Sequence, residues 1–250
     1  MISITDQALT QMALGVLLPM FRLLGLFTSA PVLSQRSTPV RVRVGLAAAI
    51  ALVVLPGIGS PLATADLSLI PAIAHEVVIG LLLGFIARVI FTAFELAGEA
   101  IGLQMGLSFA GFFDPQSGAS NPVSRLLNLI ALTGFVSLNG HVLLISAIIS
   151  SFEVLPIGGG WNWLSPELVR ETGVAMFTLS LNIALPFILL ILLLNLALGI
   201  MSRVAPQFSV FSVGFPITIG AGLLLMLFTV PLLDSPIHQA LELIARITRV

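Results

Sequence analysis

Six apolar blocks, all interrupted or cut short, limit what this chain can fold into. They run roughly over 8–30, 44–55, 70–94, 126–152, 173–201 and 213–233. A membrane-spanning helix needs about 20 consecutive apolar residues, yet Pro19 and Arg22 interrupt the first block and the second has only about 12 residues before Pro56. Pro186 sits within the fifth. Blocks of this kind suit helices buried in protein better than helices facing lipid on every side. The expected fold class is therefore an all-α membrane protein, with about six helical blocks of which several are broken or hairpin-like.

Composition agrees on the solvent. Hydrophobic residues make up 58% of the 250 positions and charged ones only 8%, far outside soluble globular usage. There is no cysteine, which excludes disulfides and thiol chemistry. A net charge of -1 leaves no basic face for nucleic acid. The first basic residue is Arg22, and Pro31 follows the one plausible small-residue cleavage site at Ser29-Ala30. The first apolar block is therefore expected to be retained and not removed as a signal peptide. No internal repeat is visible, so a single integral membrane domain over 1–250 is expected.

Polar connections are expected over 34–43, 56–68, 109–125, 156–171 and 202–212. Trp161 and Trp163, beside three glycines, read as an interfacial anchor. If every block spans, Arg36, Arg41, Arg43, Arg125 and Arg203 share one side, which the positive-inside rule makes cytoplasmic. Arg246 and Arg249 then fall on the other side, so either the tail lies too far from a span to count or one block is re-entrant. From His238 onward the chain is amphipathic, with Leu241, Ile244, Ala245 and Val250 opposing Glu242, Arg246 and Arg249. Such a tail can lie along a membrane surface or pack on a partner.

The most distinctive local feature is 95–122. Arg88, Glu95 and Glu99 fall within about 40° of one another on a helix and form a polar stripe, with Gly84, Gly102 and Gly106 close to it. An ionised side chain at the bilayer centre costs roughly 3 kcal/mol, whereas a Leu, Ile or Val returns only about 0.5. The stripe must therefore be paired, hydrated or covered. An ion pair of Arg88 with Glu95, on the same helix or across to a neighbour, is one reading. The other leaves a carboxylate over to line a hydrated path or to contact a second subunit. Beyond the stripe, Phe109, Phe112, Phe113, Asp114 and Pro115 follow Met105, among Gly106, Gly111 and Gly118. Rings on a flexible backbone can pack as core, or can plug a pore by dewetting it.

No catalytic constellation emerges. His75 and Glu76 open a near miss for the zinc-peptidase pattern HExxH, but position 79 is Ile79 and a second ligand one turn on is missing. No metal and no cofactor is expected. Asn128, Asn139, His141, Asn182 and Asn195 read as interhelical hydrogen-bonding residues.

Four stretches carry a family resemblance: FRLLGLFTSAPVL with TPVRVRVGLA after it, ELAGEAIGLQMGLSFAGFFDP, NGHVLLISAIISSFEVLP and LALGIMSRVAPQFSVFSVGFP. In this order and spacing the chain resembles, over nearly its whole length, the FliR family of flagellar export-gate subunits and its counterparts in virulence-associated type III secretion. The Asn139 to His141 run looks more flagellar than virulence-type. The resemblance implies a multi-pass subunit in the bacterial cytoplasmic membrane, at the flagellar basal body, that is not an enzyme. It would assemble with P-type and Q-type subunits (FliP and FliQ) around the path of exported unfolded proteins. It further implies that 1–125 is P-type-like and ends in the plug, and that 126–250 includes a Q-type-like hairpin. Loop 107–122 would be the plug, with Met105, Phe109, Phe112, Phe113, Asp114 and Pro115 at the gate. The B-type switch protein (FlhB) would contact 202–215, through Pro206, Gln207, Ser209 and Phe211. The family usually has asparagine where this chain has Ser209. The alternative is an ion-coupled secondary transporter in which Glu95 or Glu99 binds the coupling proton.

Overall fold

The computed structural model describes residues 6–34, 38–58, 69–107, 121–157, 166–205 and 213–247. Among them all regular structure is helical: α1 (Asp6–Ser29), α2 (Val40–Ile58), α3 (Leu69–Gln104), α4 (Pro122–Ser137), α5 (Gly140–Val154), α6 (Pro166–Val204), α7 (Phe215–Thr229), a 3-10 turn (Val230–Leu233) and α8 (Asp234–Ile247). The all-α membrane class read from the blocks holds. Three helical stretches are long and apolar enough to cross a membrane: Leu69–Gln104, Pro166–Val204 and Phe215–Arg246. A fourth is reached if α4 and α5 count together as one broken span.

Several boundaries differ from the sequence reading. The second block is not short: α2 has 19 residues, beginning at Val40 and running through Pro56. Neither Pro19 nor Pro186 ends its helix, for α1 and α6 continue past them. Each proline removes one intrahelical hydrogen bond, and in an apolar setting the bonds on either side keep the helix intact. The fourth block does break, at Asn139, which adopts a left-handed φ of 57°. Asparagine tolerates that conformation better than other residues with a Cβ. Pro122 opens α4 with Asn121 as its N-cap, four residues earlier than the block edge suggested. Proline is favoured there because its missing N–H falls at a position with no intrahelical acceptor.

The chain divides into two compact units: Met1–Val89, Asn139–Thr172 and Glu242–Val250 form one, and Ile90–Leu138 with Gly173–Leu241 form the other. The two units interleave along the sequence.

In the first unit α1 packs on α2, and both reach α5. Leu18, Leu23, Leu26 and Phe27 of α1 are buried with Ile79, Leu83 and Ile86 of α3 and with Leu144 and Ile148 of α5. α1 and α3 touch backbone to backbone. A methyl group at Gly80 would run into the Arg22 carbonyl, one at Gly25 would meet the Val77 carbonyl, and one at Gly84 would collide with Ser29. Gly80 and Gly84, one turn apart, form the small-residue face that lets two membrane helices close on each other.

That crossing holds a buried cation. Arg22 and Glu76 are both fully buried, and the Arg22 Nε donates to Glu76 Oε2 at 2.7 Å. Nη1 donates to Ser151 Oγ at 3.0 Å, and Nη2 to the Leu155 carbonyl at 2.9 Å, where α5 ends. The guanidinium carbon lies 4.0 Å from the centre of the Phe152 ring. Ser151 in turn donates to the Ile148 carbonyl. One guanidinium thus fixes α1, α3 and the C-terminal end of α5, where the helix carbonyls favour positive charge. His75 Nδ1 lies 3.4 Å from the other Glu76 oxygen. The HEVVI stretch therefore supplies the counter-ion of Arg22.

The second unit is built with neutral groups. Val123, Leu127, Ala131 and Phe135 repeat along one face of α4 and are buried, with Phe135 edge-on to Phe91 at 5.1 Å between ring centres. Leu179, Ile183, Phe187 and Ile191 do the same along α6. Thr218 of α7 donates to Asn195 Oδ1 of α6 at 3.2 Å. The amphipathic tail begins earlier than expected, at Asp234, and Ile237, Ala240 and Leu241, in the part of it that belongs to this unit, are buried within the chain.

Glu76→Gln, which keeps the shape but leaves the Arg22 charge uncompensated, should destabilise the chain by about 3–5 kcal/mol. Arg22→Met with Glu76→Leu should cost clearly less than the two single changes added together. Thermal unfolding of the wild type, the three single variants and the double variant in one detergent checks both statements.

Candidate functional site

The end of α3 and the start of α4 bring together several of the residues singled out by sequence, among them Glu95, Glu99, Gly102, Met105 and Asn128. α4 begins against α3 because α3 carries glycine where α4 arrives. The Ser124 backbone lies over Gly98, and the Asn121 amide occupies the space a side chain at Gly102 would need. Two hydrogen bonds lock this contact: Asn121 Nδ2 donates to the Gly98 carbonyl at 3.3 Å, and Ser124 Oγ to the Glu95 carbonyl at 2.9 Å. Asn121 Oδ1 also accepts the Val123 N–H at 3.0 Å, so one buried amide both caps α4 and ties it to α3. Sequence reading placed Asn121 in a loop and gave it no role. The signal available was Asn-Pro before an apolar run, a helix-start pattern.

Where α3 ends, Met105 is buried at 1% exposure and Gly106 takes φ 79°. Only glycine adopts that conformation without strain. The Met105 side chain fills the slot left by Gly222 of α7, and the Phe215 ring lies against Gly106. Met105, expected from sequence at the gate, is buried at the point where α3 stops. Phe109, Phe112, Phe113, Asp114 and Pro115 lie outside the described residues, as do Trp161, Trp163, Pro206, Gln207, Ser209 and Phe211.

Beside the clamp runs a groove of about 350 Å³ lined by Thr92, Glu95, Leu96, Glu99, Ser124, Arg125 and Asn128. The Asn128 amide donates to Glu95 Oε1, as expected of an interhelical asparagine. Of the polar stripe, Glu95 and Glu99 fall in this second unit and Arg88 in the first. Arg88 and Glu95 are exposed and Glu99 is half-buried. The cation lining the groove with the two carboxylates is Arg125, which sequence reading used only for counting topology. Among the described residues, no group of three or more potential metal ligands comes together.

The geometry offers anchoring, a charged groove and an exposed apolar surface. Residues 13–244 match the family described as bacterial export proteins, family 1. The chain is 42% identical over 218 residues to the flagellar biosynthetic protein FliR of Escherichia coli (strain K12), covering 86% of this chain and 84% of that protein. It is 40% identical over 221 residues to the FliR of Pectobacterium carotovorum subsp. carotovorum, with the same coverage. To the FliR of Bacillus subtilis (strain 168) it is 30% identical over 217 residues, 84% of each.

Gly102→Ala should weaken the α3–α4 contact by forcing the Asn121 amide out of its seat, and Asn121→Ala should cost about 1 kcal/mol through the lost cap alone. The double variant should be more stable than the sum of the two predicts, because the smaller residue 121 makes room for the new methyl. A double-mutant cycle on unfolding in detergent measures that coupling; strict additivity would contradict it.

Proposed function

The chain belongs to the bacterial export proteins, family 1, and we propose that it is a membrane-embedded subunit of the flagellar type III protein export apparatus, forming part of the channel through which flagellar proteins leave the cytoplasm. The observation that carries this reading is the match of residues 13–244 to the export family, together with 42% identity to a flagellar FliR along most of both chains. The physical character fits. The chain offers long apolar helices, and the large residues left exposed on α6 and α7, among them Phe177, Leu189, Leu193, Leu224 and Phe228, call for lipid or protein cover.

In this reading the subunit sits in the cytoplasmic membrane at the base of the flagellum with P-type and Q-type subunits, its first half (1–125) resembling a P-type protein and its second half including a Q-type-like hairpin. Residues 107–122 form the plug of the export path, with Phe109, Phe112, Phe113, Asp114 and Pro115 at the gate. Two observations support a plug rooted there. Met105 seated at Gly222 fixes the chain just before it, and Asn121, bonded to Gly98, fixes its far end. Apolar rings in a narrow path exclude water and ions by dewetting, and an unfolded chain driven from the cytoplasmic side displaces them. The B-type switch protein contacts 202–215, with Pro206, Gln207, Ser209 and Phe211 at the contact. The subunit carries out no chemical step of its own.

Expression with and without P-type and Q-type subunits, followed by native mass spectrometry of the detergent-extracted material, tests the assembly. A defined hetero-oligomer containing this chain is expected, and a monodisperse chain indifferent to those subunits would sink the reading. Replacing Phe109, Phe112 and Phe113 together by alanine should leave the assembly intact and make the membrane leak ions. Unchanged conductance in the triple variant would remove the plug from the proposal.

A further inference from the structure

Within the second unit, the groove between α3 and α4 is a face that neither lipid nor water suits. Its lining holds the carboxylates of Glu95 and Glu99 against the single guanidinium of Arg125. Asn128 occupies one oxygen of Glu95, but an amide carries no charge, so the lining keeps an excess of one negative charge. Leu103, one helical turn beyond Glu99 on α3, and Leu129, next to Asn128 on α4, stand 63% and 62% exposed. Against lipid, each carboxylate would cost roughly 3 kcal/mol at the bilayer centre. Against water, the two leucines would form part of an exposed apolar patch, which in soluble surroundings marks an interaction site. Carboxylates in such a setting are tolerated where a partner supplies the opposite charge and the flanking apolar residues exclude water.

Resting on the reading of the chain as one subunit of a hetero-oligomer, we propose that this groove seats a basic side chain, arginine or lysine, projecting from an apolar helix of a neighbouring subunit. Two carboxylates one helical turn apart present a pair of acceptors to a fork of N–H donors, and Leu103 and Leu129 pack on the apolar residues that flank the base. A bare metal ion is a poorer complement, since a hard divalent cation asks for six or more oxygen ligands and the groove offers two carboxylates with a guanidinium beside them. The contact gives specificity as well as affinity. A neighbour without the base would bury two carboxylates against one guanidinium, a mismatch that disfavours wrong partners.

The test uses the full chain assembled with its co-expressed partner subunits. A photo-crosslinking residue at Leu129 should attach to a peptide of another subunit that contains an arginine or lysine. Attachment to lipid, to a peptide with no basic residue, or to nothing overturns the proposal. In the same material, Glu95→Gln with Glu99→Gln should reduce the crosslink and the recovered hetero-oligomer about tenfold, while protease resistance of the chain by itself is retained. Reversing the charge of the crosslinked base should disrupt the complex, and Glu99→Arg should restore it. A complex that survives the double substitution undiminished overturns this inference alone. A wild-type chain that recovers no partner subunit overturns the export-subunit reading and this inference with it.

Discussion

Burial of one guanidinium organises the first unit. Arg22 has no exposure at all, and a lone ion in such a place would cost several kcal/mol even after relaxation. Its position is therefore tolerated only where Glu76, Ser151, the Leu155 carbonyl and the Phe152 ring meet around it. These groups come from α3 and from the end of α5, so the requirement to satisfy one cation fixes three helices at once. The glycines make it possible: without Gly25, Gly80 and Gly84 the backbones of α1 and α3 could not approach closely enough for the pair to form. Among helices in lipid the hydrophobic effect does little to choose partners, and close packing with polar contacts decides them.

The second unit answers the same problem differently. Several of its internal contacts are neutral, from Asn121 and Ser124 on the α3 carbonyls to Thr218 on Asn195, and its charged side chains near the clamp line an open groove. The first unit buries an ion pair, and the second sets two carboxylates beside an arginine in a groove. A subunit meant for assembly has reason to be built that way, because neutral hydrogen bonds hold an element in place without depending on a counter-ion, while charges left at a surface can discriminate between neighbours.

Much of the architecture could be read from residue order. The apolar blocks and the all-helical class follow from length and hydropathy, since a backbone in lipid has to satisfy its own hydrogen bonds. Element edges were less legible. Pro19, Pro56 and Pro186 look like stops, yet α1, α2 and α6 run through them, because in an apolar setting a helix that loses one bond is still better than an unravelled backbone. The Arg22–Glu76 pair left a usable signal, one cation and one anion each deep in an apolar block, but its residues stand 54 apart and no periodicity links them. Asn121 was hidden for a similar reason: its role comes from the glycines of another helix.

By itself the sequence determined the solvent, the helical class and the export family, because these depend on composition and on motifs that stay in order along the chain. Tertiary structure alone decided which charges are spent inside the fold and which remain available. Glu76, beside a metal-like motif, became the counter-ion of Arg22, whereas Glu95 and Glu99 came to line a groove with Arg125. The physical reason is that the cost of a charge in an apolar protein is set by what stands within a few ångströms of it, and that neighbourhood is made by helix crossings which no local pattern in the chain specifies.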